Sequence, residues 1–308
     1  MKKSIVIGTR GSKLALWQAE HIAGRIRERF PAIEVTLKKI VTTGDKILDE
    51  KKKKIGGKGL FTKELENAML SGDIDLAVHS LKDMPTELPE GLMLAAITTR
   101  ADASDAFVSL CYKSLDELPQ GAKVGTSSLR RRAQILKYRP DLQTVDLRGN
   151  LDTRIKKLEN KEMDAIILAT AGLKRLGLEQ YVTQILPAAI CLPAVGQGAL
   201  AIETRQDDAE VLLVLEFLND NDTIAAVTAE RAYLREVQGG CQVPVGVHGE
   251  VNGDQLLLEA TILNIGGGRE VREPGCRNRA AAGALGVKLA QQMLAAGGKE
   301  ILDELIEY

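Results

Sequence analysis

The stretch VHSLKDMP, residues 78–85, sets an ammonium, Lys82, beside a carboxylate, Asp83, just past an apolar strand. A neighbouring cation favours the ionised carboxylate and burial opposes it, so Asp83 can serve as a base, a proton donor or a stabiliser of positive charge. The residues alone leave those three roles open. The plain alternative for such a pair is a helix cap or a surface ion pair. His79 reads as a packing or hydrogen-bonding residue, because no partner makes it a member of a catalytic triad.

A second set lies in TSSLRRRAQILKYRPDLQTVDLRGNLDTRIKK. Between Lys123 and Lys157 there are ten Lys or Arg against three Asp or Glu, leaving 31 against 39 in the remainder of the chain. Arg130 and Arg131 follow Thr126-Ser127-Ser128 at a helix start, Arg148 precedes Gly149, and Arg154 falls in the next helix. Helix-start N–H groups and hydroxyls bind anions, and guanidinium groups grip carboxylates with two parallel hydrogen bonds. Thr9, Arg10 and Ser12 form a similar turn near the N-terminus. The expected ligand is compact and carries several carboxylates or a phosphate. GTRGS is no dinucleotide fingerprint, and GGKGLF lacks P-loop spacing. Lys51 to Lys54 read as a solvated loop, with Lys54 and Lys58 able to swing over a bound anion. Cys241, in EVQGGCQVPVG, follows two glycines that permit close backbone approach, as a nucleophile or a covalent anchor requires; a buried structural thiol is the ordinary alternative.

These residues need elements to place them. A chain of 308 residues implies two or three domains. SIVIGTRGSKLALWQAEHI and AKVGTSSLRRRAQILKY share one order of strand, Gly-Thr turn and helix, and each precedes an aspartate-led strand, DIDLAVHSLKD and MDAIILATAGLKRLG. The pattern predicts two α/β lobes of similar build. LPAVGQGALAIETR predicts a strand returning the chain to the first lobe, with hinges near 97–104 and 192–200. The predicted domains are 1–98 plus 199–216, then 99–198, then a small α+β domain over 217–308 that carries Cys241. The four cysteines are far apart and form no CxxC pair, which predicts reduced thiols and no metal site. With a net charge of −1, 3% aromatic residues, and no secretory or membrane-spanning run, the chain reads as soluble and cytoplasmic, without nucleic-acid or membrane partners.

The blocks GTRGSKLALWQA, GGKGLFTKELE, DLAVHSLKDMP, DAFVS, VGTSSLRRRAQ, LRGNLDTR, DAIILATAGLKRLG, LPAVGQGALAIE and GGCQVPVG, in this order, closely resemble the porphobilinogen deaminase (hydroxymethylbilane synthase) family nearly end to end. The resemblance implies three domains, the first two like the lobes of periplasmic binding proteins, in a monomer. It implies a dipyrromethane cofactor held by Cys241 through a thioether. This primer is lengthened by four porphobilinogen units with loss of ammonia, and water then releases hydroxymethylbilane, an intermediate of haem and related tetrapyrroles. It assigns to Asp83 the stabilisation of an azafulvene-type cation. The cofactor falls to Cys241, Ser80, Lys82, Thr126, Ser127, Arg130, Arg131, Arg148 and Gly172, and the substrate to Arg10, Ser12, Arg148, Arg154 and Arg175. Lys13 stands where many members have proline, which adds charge beside Arg10.

Two other classes use some of the same residues. A two-lobed carboxylate receptor without catalysis has no need of Cys241 or Asp83. An RNA-binding protein built on the arginine-rich segment predicts steep salt dependence and aromatic stacking residues, which the low aromatic content disfavours.

Overall fold

The computed structural model describes residues 2–45, 62–238 and 243–305. The chain divides into two compact units, residues 1–99 with 199–220 and residues 100–198 with 221–308.

The first unit opens with β1 (Ser4–Thr9) and α1 (Lys13–Arg29). Ala19, Ile22, Ala23 and Ile26 of α1 are buried at helical spacing, so one apolar stripe packs the helix on the sheet. β2 (Glu34–Lys39), α2 (Lys63–Leu70), β3 (Leu76–Ser80) and β4 (Leu92–Ile97) follow. After an excursion of about a hundred residues the chain returns as β10 (Leu200–Arg205) and α6 (Ala209–Leu215). The sheet order is β2-β1-β3-β10-β4; β1 runs parallel to β2 and β3, and β10 antiparallel to β3 and β4. Strand β3 is therefore central, which suits its burial on both faces.

The excursion builds a second sheet. It contains β5 (Asp105–Val108), β6 (Lys123–Gly125), α3 (Leu129–Tyr138), β7 (Gln143–Val145), α4 (Leu151–Glu159), β8 (Ala165–Ala169), α5 (Thr170–Arg175) and β9 (Gln184–Leu186). Its order is β7-β6-β8-β5-β9, with β6 parallel to β7 and β8, and β5 antiparallel to β8 and β9. Each five-stranded sheet thus has one strand antiparallel to its other four: β10 in the first, β5 in the second. The return strand was legible in LPAVGQGALAIETR. Its counterpart DAFV was not recognised as one.

The second unit also contains α7 (Asn221–Glu236), a three-stranded meander of β11 (Val245–Asn252), β12 (Gln255–Leu263) and β13 (Glu270–Asn278), and the helices α8 (Ala282–Met293) and α9 (Lys299–Asp303). Tyr233, Leu256, Leu258, Ile262 and Met293 fill this third core. α7 and α8 cross so closely that a Cβ on Gly286 would overlap the Ala229 carbonyl. Strand β13 escaped the sequence reading because EVREPGCRN holds Pro274 and a mostly exposed face, as an edge strand can.

Candidate active site

Each unit presents its predicted residues where a strand runs into a helix or turn. In the first, Ser12 caps α1 by accepting a hydrogen bond from Ala15 N at 3.3 Å. Arg10, on the linking turn, donates from Nε to Asp45 Oδ1 at 3.1 Å, and Thr42 Oγ1 donates to Asp45 Oδ2 at 2.8 Å. Burial pushes the Asp45 carboxyl up, but the bonds from Arg10 and Thr42 prevail and hold it below its ordinary value. The substrate-binding role expected of Arg10 therefore has to coexist with an intramolecular carboxylate partner.

β3 ends at Ser80, whose Oγ accepts from Gln18 Nε2 at 2.8 Å. A single 3₁₀ turn, Leu81–Asp83, follows. Leu81 is buried and ties its N–H to Ala199 O at 3.0 Å, Lys82 is half-buried, and Asp83 is exposed. The apolar residue anchors the turn and leaves the two charged ones to project from it.

The second unit repeats this with tighter fixings. Thr126 is buried and its Oγ1 accepts from Ser128 N at 3.2 Å; Ser128 caps α3; Ser127 Oγ donates to Leu147 O at 2.8 Å and accepts from Leu147 N at 3.0 Å. Arg148 is half exposed, with Asp146 at 3.8 Å, and Gly149 adopts φ +112°, where a Cβ would lie 2.8 Å from Thr153 Cγ2. Glycine is thus required there. Arg154 Nε donates to Gly149 O at 2.8 Å, which fixes that guanidinium against the same turn. Arg175 donates from Nη2 to Gly198 O at 2.7 Å, and burial lowers its pKa to about 10. Gly172 is buried in α5.

Arg130 and Arg131 differ from the other arginines. They are 4% and 5% exposed and clamp Asp105, which is fully buried. Arg130 Nη1 donates to Asp105 Oδ2 at 2.7 Å and to Leu192 O at 2.6 Å, and Arg131 Nη2 donates to Asp105 Oδ1 at 2.6 Å. Gln197 Nε2 and Cys191 Sγ complete the ring at 2.9 and 3.2 Å. Burial works against the Asp105 charge, but the two guanidiniums outweigh it and hold the carboxyl far below the usual range. Cys191, desolvated and beside that carboxylate, is pushed up to about 12 and is an inert thiol. Arg130 Nε is buried without a hydrogen-bond partner among the described residues.

Cys241, the lysines 51–54 and Lys58 lie outside the described residues. A cavity of about 340 Å³ in the second unit, reached by Arg100, Asp102, Ser104, Cys191 and His248, contains none of the expected site residues. Among the described residues no group of His, Cys, Asp or Glu is arranged to hold a metal ion.

Two five-stranded α/β sheets of matching build, each with one antiparallel strand, together with a small three-stranded α+β meander, define the class of fold. Solved structures that are similar include the methionine-binding protein MetQ, at 17% identity and TM-score 0.45 over 69% of this chain and 88% of that one. The periplasmic aliphatic sulphonate binding protein SsuA of Escherichia coli matches at 15% identity and TM-score 0.41, over 77% and 71%. Residues 5–213 match the family model "Porphobilinogen deaminase, dipyromethane cofactor binding domain", and residues 224–295 match "Porphobilinogen deaminase, C-terminal domain". The porphobilinogen deaminase of Geobacter sulfurreducens is 54% identical over 98% of this chain and 94% of its own length. That of Desulforamulus reducens is 49% identical over 99% of each chain. The chain belongs to the porphobilinogen deaminase family: it is a transferase of tetrapyrrole biosynthesis with a dipyrromethane-binding domain.

Proposed function

We propose that this chain condenses porphobilinogen onto a dipyrromethane anchored at Cys241, with Asp83 as the catalytic carboxylate. The observation that carries the assignment of Asp83 is its exposed place on a turn whose first residue, Leu81, is locked in the core. The donor set suits a group bearing acetate and propionate arms: Lys82 and Arg148 are cations at strand-end turns, and the Gly149 turn admits no Cβ. When bound, the cofactor supplies the pyrrole α-carbon to which porphobilinogen is joined.

Ser80, Lys82, Thr126, Ser127, Arg148 and Gly172 hold the cofactor in this reading, and Arg10, Ser12, Arg148, Arg154 and Arg175 hold the substrate. Arg130 and Arg131 were expected on the cofactor as well. Their bonds to Asp105 support a positioning role, with Arg130 Nε as the donor left for a ligand. Breaking the aminomethyl C–N bond of porphobilinogen releases ammonia and spreads positive charge onto the pyrrole nitrogen. A fixed carboxylate beside that nitrogen stabilises the charge as it develops. The same reading makes the protein a cytoplasmic monomer that engages no nucleic acid; among the described residues no helix is long and apolar enough to cross a membrane.

Asp83→Asn tests the assignment. Losing one preorganised electrostatic group costs on the order of 10²–10³ in kcat, so ammonia release should fall by about that factor with KM little changed. A variant with parental kcat contradicts the role.

A further inference from the structure

Between α2 and the first sheet lies an apolar cluster, Leu65, Met69, Ile74, Ala77 and Leu92, and three ionisable side chains are buried on these same elements. Glu203 of β10 is wholly buried, and Glu66 of α2 and His79 of β3 are each 7% exposed. Glu203 pairs across the ladder with Ala77, which puts it on the same face as His79, and His79 Nε2 lies 3.1 Å from Glu203 Oε2. Glu203 Oε1 is buried and makes no hydrogen bond among the described residues. Such a pair is costly to bury, and a hydrophobic pair of similar volume is often no less stable, so its presence calls for a role besides stability.

That role follows from what comes next along β3. His79 and Ser80 are adjacent and point to opposite faces of the sheet. Glu203 grips one from the α2 side, and Gln18 of α1 grips the other. The next residues are the Leu81–Asp83 turn.

We propose that Glu203 is a positioning residue for the condensation reaction: through His79 it fixes the end of β3, and so fixes the turn that presents Lys82 and Asp83. Glu66 makes this hold sensitive to pH. The groups facing Glu66 are Glu203, His79 and Glu64, and the strand β4 beside Glu203 offers Leu94. Burial, and then the Glu203 charge, raise the Glu66 carboxyl above its ordinary value of 4.5, so ionising it sets a second negative charge against Glu203. The turn is held most firmly while Glu66 is protonated and loosens as pH rises through that raised value.

The inference rests on Asp83 being catalytic, and hydrogen exchange tests it without relying on that assignment. Glu203→Gln keeps the volume and an acceptor for His79 but removes the charge. In the full chain the amides of residues 81–84 should exchange at least tenfold faster while those of α1 stay at parental rates. Steady-state kcat should fall about tenfold with KM within twofold. Glu66→Gln, which mimics the protonated acid, should keep the protection of the turn, its exchange rate relative to the intrinsic rate at each pH, constant where the parent loses protection as pH rises through the raised Glu66 value. A folded Glu203→Gln with parental exchange at 81–84 overturns the proposal. If that variant does not fold, an undiminished pH dependence in Glu66→Gln overturns it instead. Fast exchange at the turn with parental kcat would retain the anchoring but remove its link to catalysis, and parental kcat in Asp83→Asn would fault the catalytic assignment alone.

Discussion

Asp105→Asn is the sharpest perturbation of the second sheet. The side chain keeps its size but loses its charge, leaving Arg130 and Arg131 buried without a counter-ion. Asparagine also turns one acceptor into an NH₂ facing either Arg131 Nη2 and Gln197 Nε2 or Arg130 Nη1 and Cys191 Sγ, so donor meets donor whichever way the amide sits. Breaking a buried ion pair by removing one partner costs about 3–5 kcal/mol. For a cooperative unit of this size each kcal/mol moves the melting temperature by roughly 2–4 °C, so calorimetry at pH 7 should show a fall of about 6–20 °C. The acid limb should change too. A carboxyl held far below its unfolded value of 3.8 contributes stability that is complete well above that value and is lost as pH falls towards the folded pKa. The parent should therefore lose stability over that range, and the variant should have a shallower slope. Asp146→Asn, at an exposed pair 3.8 Å from Arg148, serves as the control and should change stability by about 0.5 kcal/mol or less. An Asp105→Asn melting point within 2 °C of the parent would refute the claim that this network holds the start of α3.

Three other outcomes are expected. Arg148→Gln should weaken primer loading or elongation, read by intact mass and ammonia release, while moving the melting temperature by no more than about 2 °C, because the guanidinium is half exposed. Gly149→Ala should cost about 1–3 kcal/mol from the φ of +112° and the contact with Thr153, and should raise KM by displacing Arg148 and Arg154 together; denaturant unfolding and steady-state kinetics check this. With thiol reagents at pH 8, Cys111 and Cys276 should react in the native protein, Cys191 only after denaturation, and Cys241 not at all if a thioether occupies it. A fourth reactive thiol in the denatured, fully loaded protein contradicts the anchor.

The lobes were legible because their grammar repeats: strand, Gly-Thr turn, capped helix. Ser12 and Ser128 do cap helices where that pattern put them. The buried charges were not legible. That Asp105, some 25 positions earlier, meets Arg130 and Arg131 could not be read, because a sequence shows that a residue is cationic but not which carboxylate it meets. The one available signal was an aspartate opening an otherwise apolar strand, DAFV, since a charge in a buried strand needs a partner. The same holds for Glu203, in the run ALAIETR, and His79, separated by 124 positions. His79 was rightly read as a hydrogen-bonding residue, but its partner comes from a strand that returns only after the whole second sheet has formed. Strand β13 was missed for the opposite reason: an edge strand with one exposed face carries neither alternation nor β-branched enrichment.

The central claim, a covalently primed condensing enzyme, is tested most directly by the intact mass of the purified chain beside that of Cys241→Ala. The parent should carry the added mass of two linked pyrrole units and the variant none. Equal masses for the two after incubation with porphobilinogen, with no ammonia released by either, would contradict it.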